Sequence, residues 1–328
     1  MSTKRALIVG ITGQDGSFLA ELLLSKGYQV FGLKRRTSSS GLSRIAHLLN
    51  SVHLLEGDLC DGSSLERAVM DCLPDEVYNL GAQSFVRTSF RQPLATTDVN
   101  GLGAVRLLEA IASRHPSARY YQASSSEMFG TTPPPHSETS VFHPRSPYAC
   151  AKVYAHHMTV HYREAYGLYA CNGILYNHES PRRGRDFVTQ KIAYGAAAIH
   201  LGMSSFLTLG SLDTRRDWGH ARDFCDAIWL MMQQSEPEDY VIATGESHSV
   251  EDFARLAFQF LGMDYKNFVG FDPALLRRTD ISCSVGDATK ARTKLGWAPK
   301  VSFDQLVEEM VSAAHFDLKN GRTLSLEV

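Results

Sequence analysis

The chain has 328 residues, 44% of them hydrophobic and 21% charged, enough apolar material for one large core or a large and a small one. Its 33 Lys and Arg against 35 Asp and Glu leave a net charge of −2, which gives no case for nucleic acid or an anionic membrane surface as a partner. Six cysteines stand singly with no CxxC pair, the usage of reduced thiols in a cytoplasmic protein, and no apolar run is long enough to span a bilayer.

RALIVG (5–10) is a continuous apolar run, as a strand buried on both faces of a parallel sheet requires. It enters GITGQDG, after which Phe18, Leu19, Leu22 and Leu23 recur at helical spacing until Gly27. YQVFGL (28–33), SVHLLEGD (51–58), EVYNLGA (76–82) and ARYYQAS (118–124) repeat the strand theme, with helical stretches at 62–72 and 101–115. This alternation predicts an α/β fold with a doubly wound parallel sheet of the Rossmann type. The second half is less regular, with loops expected at 131–147 and 177–189 and helices at 250–262 and 302–318. The expected division is one domain over 1–173, to which part of 212–245 returns, and a smaller, interleaved lobe over 174–328.

Gly10, Gly13 and Gly16 fall at the first strand-to-helix turn, where a dinucleotide pyrophosphate meets a helix N-terminus, with Thr12, Gln14 and Asp15 between them. A merely structural turn would use the same glycines, but strand, turn and helix are in register here. A binder of NAD usually ends its second strand with an acid for the ribose 2′-hydroxyl. This chain has KRRTSSS (34–40) instead, where Arg35 and Arg36 can pair with a 2′-phosphate and Thr37 and Ser38 can add hydrogen bonds. The expected cofactor is therefore NADP, the bland alternative being a solvated basic loop. Asp58, at the tip of the third strand, suits the adenine amino group.

SPYACAK (146–152) puts Tyr148 and Lys152 on one helix face, with Ser146 as N-cap and Pro147 as first helical residue. A free phenol, with a pKa of about 10, is a poor base at neutral pH, and a lysine ammonium beside it is expected to lower that value. The strand at 118–124 runs into Ser124, Ser125, Ser126 and Glu127, at the sheet edge where such folds bind ligands. Ser125 can hydrogen-bond the hydroxyl that Tyr148 deprotonates. A plain ketoreductase has no use for Glu127, whereas a carboxylate beside a new ketone can remove the proton from the adjacent carbon, as an elimination requires.

These segments, with NLGAQSFV, SSSEMFG, GILYNHESPRRG, FVTQKI, RRDWGHARD and LGWAPK, resemble the extended short-chain dehydrogenase/reductases, and within them the GDP-mannose 4,6-dehydratase family, along nearly the whole chain. The resemblance implies that Ser125, Glu127, Tyr148 and Lys152 are catalytic. It implies that the 10–16 turn, Arg35, Arg36, Thr37, Ser38, Asp58, Leu59, Leu80, Gly81, Ala82, Gln83, Ser84, Tyr148, Lys152, His178 and Arg183 hold NADP. On the GDP-sugar side it implies Ser84, Ser126, Glu127, Asn177, Val188, Lys191, Arg216, Arg277 and Asp280. It further implies a homo-oligomer, dimer or tetramer, with the loop at 35–44 at a subunit contact. Ser125 stands where the family usually has threonine, and RRTDI departs from the family's RPxEV at Arg278 and Asp280. The expected reaction is loss of water from GDP-mannose to give a 4-keto-6-deoxy sugar. The alternatives are the same dehydration of a GDP-manno-heptose, an NADP-dependent epimerase or reductase, and a non-catalytic NADP-sensing module. No metal is expected: His157 and His161 lie four apart on the Tyr148 helix, but no third ligand has sensible spacing. Trp297 is read as packing, and SEPED (235–239) as a solvated turn.

Overall fold

The computed structural model describes residues 3–37, 41–276, 279 and 281–321. Strands β1 (Arg5–Val9), β2 (Gln29–Lys34), β3 (Val52–Glu56), β4 (Glu76–Asn79), β5 (Arg119–Ser125), β6 (Ala170–Leu175) and β7 (Tyr240–Ile242) make one sheet. Its order is β7-β6-β5-β4-β1-β2-β3, and every pair is parallel. The helices that position the site are α1 (Gln14–Ser25), α2 (Gly62–Cys72), α3 (Gly103–Arg114) and α4 (Pro147–Tyr166) among the first six strands. Then come α5 (Val188–His200), α6 (Ala221–Met231), α7 (Val250–Phe260) and α8 (Phe303–Lys319).

Strand side chains alternate between the two faces, so each strand serves two cores at once. Leu7, Val9, Val77 and Tyr120 pack with Leu65 and Val69 of α2 and Leu107 and Ile111 of α3. Ala6, Ile8, Tyr78 and Tyr121 face the other way, toward Phe18, Leu19 and Leu23 of α1 and Phe224 and Ile228 of α6. A separate cluster, with Ile192, Phe253, Phe258, Leu306 and Met310, joins α5, α7 and α8. Trp297 is core material: its indole N–H donates to the Asp223 carbonyl at 2.8 Å and its ring meets Phe224 edge-on.

The stretch at 177–189 departs from the expected loop. Asn177–Glu179 is a short strand paired in parallel with Trp218–His220, and α5 begins at Val188. A pairing between segments so far apart in sequence leaves no local signal. Asp217, just before that partner strand, is fully buried and accepts from Thr244 N and Oγ1 (2.8 and 2.7 Å), Gly245 N (2.9 Å) and Gly286 N (3.3 Å). Three chain segments thus converge on one carboxylate.

Candidate active site

β1 ends at Val9, and Gly10 turns the chain with φ +86°, a conformation that favours glycine. A Cβ on Gly10 would sit 3.0 Å from the Gly81 backbone, and one on Gly16 only 2.3 Å from the Gly10 carbonyl oxygen. Gly13 caps α1 without a side-chain hydrogen bond, so the first-turn N–H groups are offered to the cleft rather than to a capping residue. The cleft above this turn holds about 410 Å³ and is lined by Gly10, Thr12, Gly13, Gln14, Asp15 and Gly16. Leu80, Gly81, Ala82, Ser84, His178 and Arg183 line it as well. A bare helix N-terminus and a backbone that tolerates no added methyl fit a dinucleotide's pyrophosphate.

The turn is stitched to the segment after β6. His178 Nε2 lies 2.9 Å from Asp15 Oδ2, and its Nδ1 lies 2.6 Å from the Tyr176 carbonyl oxygen, so both ring nitrogens face acceptors. Burial opposes the imidazolium, but the Asp15 carboxylate outweighs it and raises the His178 pKa above its ordinary value. Burial likewise opposes the Asp15 charge, and His178 brings that carboxyl below its ordinary range. Gln14 Nε2 donates to the His178 carbonyl at 3.0 Å, Ser180 Oγ donates to Gln14 Oε1 at 2.8 Å, and Arg182 Nη1 donates to Ser17 Oγ at 3.0 Å.

On the opposite wall, Ser146 Oγ accepts from Ala149 N at 3.1 Å and Pro147 opens α4, which aims Tyr148 and Lys152 at the tip of β5. Ser125 closes β5, and Ser126–Met128 form a single 3-10 turn that carries Glu127. Ser125, Ser126, Glu127, Tyr148 and Lys152 all line the one cleft. Burial pushes the Tyr148 phenol up to about 12; a hydrogen bond with Ser125 opposes this and the Glu127 charge adds to it. Burial brings Lys152 down to about 8, and its Nζ donates to the Ala123 carbonyl at 2.7 Å. The expected lowering of the tyrosine by the lysine is therefore overridden. Lys152 Nζ sits 5.8 Å from the Tyr148 ring centre, and loss of hydration dominates both groups.

A second cavity of about 190 Å³ contains Val188, Lys191 and Arg216, and shares Asn177, Phe85 and Phe187 with the first. Lys191 Nζ donates to the Thr208 carbonyl at 2.7 Å, and Arg216 Nη1 to the Ile281 carbonyl at 2.6 Å. The remaining predicted residues lie elsewhere. Arg35, Arg36 and Thr37 are exposed beyond β2. Asp58 accepts from Cys60 N at 2.9 Å, and Leu59 is buried near Gly81. The Gln83 amide donates to Thr96 Oγ1 at 3.2 Å and accepts from Phe85 N at 2.6 Å. None of these six lines either cavity. Ser38, Arg277 and Asp280 fall outside the described residues. Arg44, Arg182, Phe85 and Phe187 line the cleft without having been singled out from the sequence. Among the described residues, no three His, Cys, Asp or Glu side chains group to hold a metal.

The Thermus thermophilus UDP-glucose 4-epimerase, solved in complex with NAD, superposes with a TM-score of 0.84 at 27% identity, over 94% of this chain and 98% of that one. Sheet, glycine turn and Tyr148–Lys152 helix together define a short-chain dehydrogenase/reductase built around a nicotinamide cofactor. More narrowly, the chain belongs to the GDP-mannose 4,6-dehydratase family, whose model matches residues 7–310. GDP-mannose 4,6 dehydratase 1 of Arabidopsis thaliana is 53% identical over 320 residues, 94% of this chain and 89% of its own length. The Homo sapiens GDP-mannose 4,6 dehydratase is 47% identical over 346 residues, 97% and 92% of the two chains.

The Asp15–His178 pair has a defined pH signature. His178, raised in the fold, stabilises fully below its unfolded value of about 6.5 and loses that contribution as pH rises through the folded value. Asp15, depressed, contributes above about 3.9 and loses its share as pH falls through its folded value. The stability gap between the wild type and His178→Asn, followed by thermal unfolding, is expected to be widest between about pH 4 and 6.5. It should narrow as pH rises further. A gap that does not vary with pH would contradict the charged pair.

Proposed function

We propose that the chain converts GDP-mannose to GDP-4-keto-6-deoxymannose and water, with NADP bound at the Gly10–Gly16 turn. The observation that carries this reading is Glu127 standing in one cleft with Ser125, Tyr148 and Lys152. NADP, when bound, supplies reversible hydride acceptance, taken from C4 and returned to C6, so no net redox change occurs. Tyr148 receives the proton of the 4-hydroxyl while Ser125 orients that oxygen. A phenol held up to about 12 is a strong base once ionised, and the Ser125 hydrogen bond and the Arg183 charge favour the ionised form. The C4 ketone acidifies the C5 hydrogen; Glu127 removes it and passes that proton to the departing C6 hydroxyl, which leaves as water, and the proton held by Tyr148 returns to C5 as C6 is reduced.

The second cavity suits the GDP half of the substrate, with Lys191 and Arg216 as cations toward a diphosphate and Asn177 at the junction with the sugar. On this reading residues 1–173, with the returning α6–β7 stretch, hold NADP, and 174–328 mainly hold the nucleotide sugar. The 2′-phosphate falls to Arg35 and Arg36, whose exposure leaves their guanidinium groups accessible. Exposed Leu94, Leu102 and Tyr154 beside and on α4 supply an apolar surface for a homo-oligomer, dimer or tetramer. Six free cysteines support a cytoplasmic protein.

Replacing Arg35 and Arg36 together by alanine is expected to weaken NADP binding by about 1–3 kcal/mol per lost charged contact, with NAD hardly affected. Calorimetry with both cofactors checks this, and equal wild-type affinity for the two would refute the assignment. Glu127→Gln should lower turnover of GDP-mannose about 100- to 10,000-fold. Mass spectrometry should then find an oxidised sugar that keeps its C6 hydroxyl. Near-normal release of water by that variant would mean another group deprotonates C5.

A further inference from the structure

Helix α4 meets the tip of β5 through three polar rungs, one helical turn apart. The Tyr148 hydroxyl bonds Ser125, Lys152 Nζ donates to the Ala123 carbonyl, and His156 Nδ1 lies 3.2 Å from Ser124 Oγ. The first two rungs belong to the chemistry already assigned. The third does not, yet Ser124 and His156 are both buried, and a buried polar pair is kept only where its hydrogen bonds are satisfied.

Their partner is Asn172, which links them to one carboxylate. Ser124 Oγ donates to Asn172 Oδ1 at 3.2 Å, and Asn172 donates to Asp239 Oδ1 through N (2.9 Å) and Nδ2 (3.1 Å). Arg163, two turns beyond His156 on α4, grips both Asp239 oxygens at 2.8 and 3.1 Å, and Asp239 Oδ2 lies 3.8 Å from His156 Nε2. Phe142 closes the site edge-on at 5.0 Å, and His157 stands beside His156 at 5.5 Å. Asp239 ends the stretch expected to be a solvated turn but is held by Arg163 and Asn172 just before β7, so β5, β6, β7 and α4 are tied at a single point. Such a network holds one arrangement of its elements where apolar packing would tolerate a slide.

We propose that Ser124, His156 and Asp239 are positioning residues for the dehydration chemistry, holding α4 in axial register with the β5 tip. The inference rests on the function proposed above, because its consequence is the placement of Tyr148 and Lys152 against Ser125. A helix rises 1.5 Å per residue, and a misplacement of about 1 Å can cost about 100-fold in rate. His156 does not act as an acid or base in this scheme. Burial brings its pKa down to about 4, with Asp239 opposing and His157 and Arg163 adding, so the ring stays neutral in the working range.

The test compares His156→Leu, Ser124→Ala and His156→Asn, the last keeping an amide near the Nδ1 position. For His156→Leu and Ser124→Ala, kcat on GDP-mannose should fall about 10- to 100-fold with KM nearly unchanged. His156→Asn should recover most of the rate. Titration of Lys152 by lysine-selective NMR, without substrate, gives a second readout. Asp15 and Tyr148 are the titratable groups facing that ammonium, and neither is altered in the variants. In the wild type the titration should fall near 8. In His156→Leu it should move up toward the ordinary lysine value as water reaches the loosened rung. Wild-type kcat and an unmoved titration in His156→Leu would overturn the inference. So would a rate that falls only with the folded fraction and is not rescued by asparagine. A wild type without activity on GDP-mannose would refute the parent reading, while the titration would still decide the register.

Discussion

Seven strands that all run parallel must all end at the same edge of the sheet, and the whole site hangs from that edge. β1 delivers Gly10 there, β4 delivers Leu80 and Gly81, β5 delivers Ser124 through Glu127, and β6 delivers Tyr176 through His178. The chain reverses its winding between β1 and β4, and the cleft opens at that switch point, where Gly10 and Gly81 come within contact of each other. A side chain at Gly10 would press on the Gly81 backbone, and one at Gly81 on Leu59 and Val9, so neither strand end could keep its place.

The same burial that makes the edge a pocket controls its charges. Tyr148 is held up and Lys152 down, both toward their uncharged forms, while Asp15 and His178 offset their burial by pairing with each other. That pair joins the glycine turn to the 177–183 segment, whose other side faces the second cavity through Asn177 and Glu179. The walls of the two cavities are therefore tied together through this pair.

Local features are legible in the sequence. The glycine turn, the α4 start at Ser146–Pro147, the Tyr148–Lys152 spacing and the exit of β5 into Ser125 and Glu127 are all set within a few residues of one another. Features that depend on distant pairing are not. Asp15 and His178 are 163 positions apart, the strand at 177–179 exists only through its partner at 218–220, and His156 finds Ser124 only after α4 docks. The direction of the Tyr148 shift runs against the sequence-based expectation for a related reason. Spacing reveals that a lysine is near, but not that both groups are dry, and here dehydration is the larger effect.

The central claim is an internal transfer: the hydrogen removed from C4 ends on C6 of the same sugar, with Glu127 making the intervening elimination possible. GDP-mannose carrying deuterium at C4 tests it directly, with the product examined by NMR and mass spectrometry. The account predicts that the deuterium reappears at C6 of a 4-keto-6-deoxy sugar, with no stoichiometric consumption of added nicotinamide. Deuterium retained at C4, as in an epimerised sugar, or lost to the medium would contradict it.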